Sequence, residues 1–237
     1  MKLKLICILY LIISITSCNK VNKYKGGWPT NSNSDNIHNS NYLSTCPGSI
    51  GCECNTNSDC LNQNCISHPK GNYCAPKKGD IIPRFIAKDQ FGENVDLYDF
   101  SKQGKMILIE LSTAWCNPCK DLSNWITHND QKIKTYPWWN DRYLPIRSMI
   151  NNGDVLMINY LFEGDQRKVN ANHSDVESWY NKYPDINIPI LLDENRQVHS
   201  WVKPTGLPCI FLLDENMRLI NFTNRGLTEA FLYLTKP

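Results

Sequence analysis

Two cysteines stand two residues apart in Trp115-Cys116-Asn117-Pro118-Cys119, with a tryptophan before them and a proline between them. Three chemistries use such a pair: a couple that opens and closes a disulfide, half of a thiolate zinc site, or a structural bridge. The flanking sequence bears on the choice. The apolar run from Met106 to Ser112 reads as a buried strand ending just before Trp115, and Pro118 suits the first turn of a helix, where a missing N–H costs nothing. Cys116 is thereby set at a strand-to-helix junction, facing backbone amides that have no partner inside the helix. Those amides and the helix dipole lower a cysteine pKa from about 8.5 into the range of roughly 3.5 to 7.5. Cys116 is then the attacking sulfur. Cys119, one turn further on and more enclosed, displaces the product thiol from the mixed disulfide.

The rest of the chain must carry this pair in a compartment where disulfides persist. Its 237 residues, 41% of them apolar, suffice for one substantial domain with appendages, and a formal charge of +2 without a dense basic block gives no nucleic-acid surface. Eleven cysteines are many for a reducing cytosol. Residues 1–17 have the shape of an export signal: two lysines, then an apolar run from Leu5 to Ile15 that is short for a membrane span. Ile15-Thr16-Ser17-Cys18 resembles the bacterial lipobox, which implies that Cys18 becomes the lipidated first residue of the mature protein. An ordinary secretory signal is the alternative, and either one exports the chain. A lipid at Cys18 would hold the protein on a membrane with no spanning helix.

Residues 18–45, rich in Asn, Ser, Lys and Gly, read as a flexible tether. Residues 46–78 hold Cys46, Cys52, Cys54, Cys60, Cys65 and Cys74 with few apolar residues, which reads as a small module held by three disulfides of undetermined pairing. Zinc fits it less well, because two pairs of closely spaced ligands are absent. From residue 79 to 237, short apolar runs bounded by turn residues alternate with helical stretches, the pattern of an α/β sheet covered on both faces. Ser174-Asp175-Val176-Glu177 has a capping-box pattern opening one helix, another begins at Cys119, and Asp214 to Met217 reads as a hairpin turn. Residues 129–153 fit neither period and read as an inserted loop or an irregular helix extension. His128, His173 and His199 lack ligand spacing to one another or to an acid, so no metal is assigned, and no cofactor beyond the Cys116–Cys119 disulfide.

The stretch from Gly79 to Leu122, ending in WCNPC, and the later TGLPCIFLLDENMRLI resemble the exported thioredoxin-like proteins of the TlpA/ResA type. The resemblance implies a thioredoxin-like fold over residues 79–237: a central mixed sheet flanked by helices. It implies that Pro208 is a cis-proline facing the disulfide, with the backbone of Leu207 offered to an extended substrate, and that Trp115 shields the pair. Glu110, six residues before Cys116, matches the buried acid that thioredoxins carry beneath the pair, where it would take a proton from Cys119 through water. A charged strand end facing solvent is the alternative. Two departures stand out: Leu122 occupies the position where some relatives carry a glutamate, with Asp121 just before it, and Cys209 follows the proline where many have threonine.

The function implied is that of a membrane-tethered thiol–disulfide oxidoreductase, reductive as is usual in that family, acting on exported proteins and recharged by a membrane thiol donor. The competing function is a non-enzymatic surface lipoprotein in which the cysteine-rich module binds a partner and the larger domain is a scaffold. A peroxidase would need an isolated cysteine instead of a pair.

Overall fold

The computed structural model describes residues 23–37 and 45–236; the segment 1–17 that reads as an export signal and Cys18 lie outside them. Five strands form the central sheet: β5 (Met106–Thr113), β6 (Val155–Glu163), β7 (Ile190–Leu192), β8 (Cys209–Leu213) and β9 (Leu219–Asn221). Their order is β7-β6-β5-β8-β9, with β5, β6 and β7 parallel and β8 and β9 antiparallel to their neighbours. The runs that build β5, β6 and β8 are buried at nearly every position and mostly apolar because both faces are covered. Ahead of the sheet come two short antiparallel pairs, β1 (Cys65–Ile66) with β2 (Tyr73–Cys74) and β3 (Ile86–Lys88) with β4 (Asn94–Asp96).

Alternation along β5 divides the core. Ile107, Ile109 and Leu111 pack with Tyr160, Phe162 and Phe211 beneath the β3–β4 hairpin and α4 (Gln197–Val202). Leu108 turns the other way, into a cluster built by α1 (Asn117–His128), α2 (Leu144–Asn151) and α5 (Leu227–Leu234), with α3 (His173–Lys182) beside it. The uncommitted stretch 129–153 is two 3-10 turns followed by α2, and Trp139 meets the buried Trp125 of α1 edge-on at 5.0 Å. The cap of α3 differs from the Ser174 pattern. Asn172 is the N-cap, its side chain accepting the Asp175 amide while Asp175 accepts that of Asn172, so the box lies two residues earlier.

The tether expectation needs a larger correction, for residues 23–37 are packed against the domain. Tyr24 and Trp28 are buried. The Tyr24 hydroxyl donates to Asp99 at 2.5 Å, Lys23 pairs with the same carboxylate at 2.7 Å, and Trp28 Nε1 donates to the fully buried Asp89 at 2.8 Å. Two aromatic side chains supply the apolar burial that a polar stretch otherwise lacks, and each polar tip meets a carboxylate. Burial pushes Asp99 up, but hydrogen bonds from Lys23, Tyr24 and the Asn31 amide outweigh it and hold the carboxyl below its ordinary value.

The six cysteines of the module pair as Cys46–Cys52, Cys54–Cys65 and Cys60–Cys74. The module rests on the edge of α4. Gly51, at φ +88°, presses on the Ser200 carbonyl, where an added Cβ would lie 2.9 Å away. The buried Tyr73 hydroxyl donates to the Val202 carbonyl at 2.8 Å and accepts from Asn224 at 2.8 Å. Among the described residues one group of three metal-capable side chains comes together, Cys54, Cys60 and Cys74, and all three sulfurs are in disulfides. No helix among the described residues is long and apolar enough to cross a membrane.

Candidate active site

Beyond Thr113 the chain leaves the sheet through a tight turn, closed by the Cys116 amide donating to the Thr113 carbonyl at 3.0 Å. Cys116 is then the N-cap of α1: its backbone is extended and its Sγ accepts the Cys119 amide at 3.2 Å. A sulfur in that place takes the role a serine or aspartate oxygen has at other helix starts. Negative charge on it is favoured, because the amide and the positive end of the helix dipole both face it. Pro118 lies in the first turn, where it forfeits no hydrogen bond. The turn brings the two cysteines to a Cα separation of 5.3 Å, and they are joined as a disulfide.

The pair is sunk to its rim. Cys119 has no exposed surface and Cys116 retains 2%. A cleft of about 490 Å³ opens over Cys116, its lining including Trp115, Arg167, Phe162, His199 and Leu207. Cys119 does not line it, so an entering molecule meets Cys116 first. Leu207 packs against the cluster that holds both cysteines, and the Leu207–Pro208 peptide is cis. On the far side of Leu207 a smaller hollow of about 200 Å³ is lined by Pro208, Trp138, Arg225 and Glu229.

Glu110 lies in the interior, not at a solvent-facing strand end. It is fully buried in the middle of β5, opposite Asn159 of β6 and Ile210 of β8. Strand alternation puts it on the same face as Leu108, the face that α1 covers. Asn159 Nδ2 donates to Oε2 at 2.9 Å, and Oε1 has no protein partner. Burial pushes its pKa up to about 8, the Asn159 bond opposing. A carboxyl in that state holds a proton at neutral pH and releases it just above, a range suited to passing a proton to or from a thiol.

No protein-family model matches the chain. A curated relative, the thiol-disulfide oxidoreductase ResA of Bacillus subtilis, is 24% identical over 164 residues, 68% of this chain and 76% of the relative. The relative of the same name from Bacillus cereus is 22% identical over 60% of this chain and 66% of its own length. Over 60–68% of its length the chain is thus similar to thiol-disulfide oxidoreductases named ResA. Among solved structures, the thioredoxin domain of a thiol-disulfide oxidoreductase from Bacteroides vulgatus is 18% identical with TM-score 0.45, covering 67% of this chain and 98% of that one. A thiol:disulfide interchange protein from a Bacteroides species is 16% identical with TM-score 0.45, covering 68% and 91%.

Against that type, the two departures in this TlpA/ResA-like chain have different outcomes. Leu122 is fully buried in the α1 cluster, and Asp121, also buried, accepts from the Tyr136 hydroxyl at 2.7 Å and Lys132 at 3.1 Å, tying the inserted segment to α1. Neither supplies the missing acid at the cleft. Cys209 is a free, fully buried thiol on the opposite face of the sheet, among Leu111 and Phe211, and burial pushes its pKa up to about 12. It behaves as a small apolar residue. Sequence reasoning missed His199 and Arg167. Both reach the cleft through tertiary packing, on α4 and on the loop after β6, and neither carries a local pattern that marks it.

Proposed function

We propose that this chain is an extracytoplasmic thiol–disulfide oxidoreductase, held at a membrane by lipid on Cys18, whose CNPC pair exchanges disulfides with exported proteins. The observation that carries the proposal is the Cys116 sulfur seated as the N-cap of α1, facing the Cys119 amide under an open cleft. In the reductive direction, assigned on the family resemblance, a membrane dithiol passes two electrons and two protons to the Cys116–Cys119 disulfide. Cys116 thiolate then attacks a sulfur of the client disulfide and breaks that bond, giving a mixed disulfide and one client thiol. Cys119, giving its proton to the ionised form of Glu110, attacks the Cys116 sulfur and displaces the second client sulfur, which takes up a proton to leave as a thiol. Trp115 shields the joined sulfurs, and the backbone of Leu207 beside Pro208 pairs with the extended client.

The experiment is capture in the cell of origin. A Cys119→Ser variant should accumulate a client joined to Cys116 that a reducing agent releases. A Cys116→Ser variant should accumulate none. Equal yields from the two variants, or insulin disulfides reduced equally fast by wild type and Cys116→Ser, would refute the assignment and favour a scaffold.

A further inference from the structure

The cleft over Cys116 holds a charge that the exchange chemistry leaves unused. Glu163, at the end of β6, is fully engaged: Oε2 accepts Trp115 Nε1 at 2.6 Å, and Oε1 pairs with Arg196 at 2.9 Å. Its charge is compensated inside the protein. His199, which also lines the cleft, is neutral at physiological pH, because burial, followed by the nearby Arg196, pushes its pKa down to about 4.

Arg167 differs from both. Its guanidinium carbon lies 4.1 Å from the centre of the Trp115 ring, the side chain is exposed, and it forms none of the ion pairs found among the described residues. Stacking on the ring favours one place for the guanidinium and leaves its N–H groups free for an incoming acceptor, for which a carboxylate is the matching partner. Trp115 adjoins Cys116 in sequence, so the cation stands beside the point of attack. The cleft thus offers an incoming chain one uncompensated positive group at a fixed place.

We infer that Arg167 selects clients carrying an acidic side chain within a few residues of the cysteine that Cys116 attacks. The inference rests on the oxidoreductase function proposed above and adds to it a substrate class: acid-flanked disulfides.

The test uses three synthetic peptides, each with one cysteine flanked by Glu, Gln or Lys and joined to its own copy as a disulfide dimer. Pre-reduced protein converts each dimer to two thiol peptides while Cys116 and Cys119 become a disulfide, so electrons and protons balance. Single-turnover rates are divided by the rate of each dimer with 2-mercaptoethanol, which removes the intrinsic reactivity of the peptides. The expected result is a normalised preference for Glu over Gln of about three- to tenfold at low salt, narrowing at high salt. Arg167→Gln should abolish the preference and Arg167→Glu should turn it toward Lys. An order that survives Arg167→Gln, or no order in the wild type, overturns the inference while leaving the oxidoreductase intact. Failure to reduce any of the three dimers removes both.

Discussion

Replacing Glu110 with Gln probes the interior of the site with a magnitude that can be worked out. With its pKa pushed up by burial to about 8, the carboxyl is protonated about ten to one at pH 7. Below pH 4.5, its ordinary value, it is protonated in both folded and unfolded chains and imposes no penalty. As the pH climbs from 4.5 toward 8 the unfolded chain releases the proton and the folded chain keeps it, so stability falls by ~1.4 kcal/mol per pH unit. Over the interval from 4.5 to 7 that amounts to about 3 kcal/mol. Glutamine does not titrate. It also keeps an oxygen for Asn159, and its amide, left unpartnered where Oε1 now is, adds a cost that is the same at every pH.

The difference in stability between Glu110→Gln and wild type should therefore shift in favour of the variant by about 3 kcal/mol between pH 4.5 and pH 7, and level off above about 8. Urea unfolding of the oxidised proteins across that range measures it. The same variant should slow release of the mixed disulfide on the order of a hundredfold and remove the inflection near pH 8 from the single-turnover profile. A stability difference that is flat with pH, together with an unaltered release profile, would refute both the burial argument and the proton role.

Cys209→Ser should leave turnover of insulin disulfides unchanged, since the thiol faces away from α1, and a turnover change of several-fold would place it in the chemistry. Trp28→Ala should lower the urea midpoint, costing about 3 kcal/mol or more through a lost buried indole and an Asp89 Oδ2 left without its donor, Oδ1 keeping the Phe91 and Glu93 amides; a change below 0.5 kcal/mol would mean that residues 23–37 do not hold the domain. Tyr73→Phe should destabilise by about 1–2 kcal/mol, read by thermal unfolding, because the Val202 carbonyl loses one of its donors; no loss would detach the module from the α4 edge.

What the sequence disclosed was the part written in local pattern. The strand before Trp115, the proline in the first turn and the apolar runs of β6 and β8 each satisfy a short-range rule, and together they position Cys116 without knowledge of any distant contact. The cap of α3 was misplaced by two residues because Asn172 and Ser174 both qualify by type, and only the packed geometry chooses. The packed N-terminal segment was invisible for a different reason. Tyr24 and Trp28 find Asp99 and Asp89 at separations of 75 and 61 residues, and two aromatics in a polar stretch make no period. Arg167 and His199 likewise owe their place to the β6 loop and α4 meeting at the cleft. Glu110 could be located on a strand from sequence, but the absence of a partner for one of its oxygens needs the packed interior.

The most direct test of the account is ionisation of Cys116 in the reduced protein, followed by the pH dependence of its alkylation with iodoacetamide in a Cys119→Ser background. A thiolate seated at the start of α1 should titrate within roughly 3.5 to 7.5, with alkylation already on its plateau above that range. A midpoint at or above the ordinary thiol value of about 8.5 would contradict the account, because the helix start would then give the sulfur no advantage over any exposed cysteine.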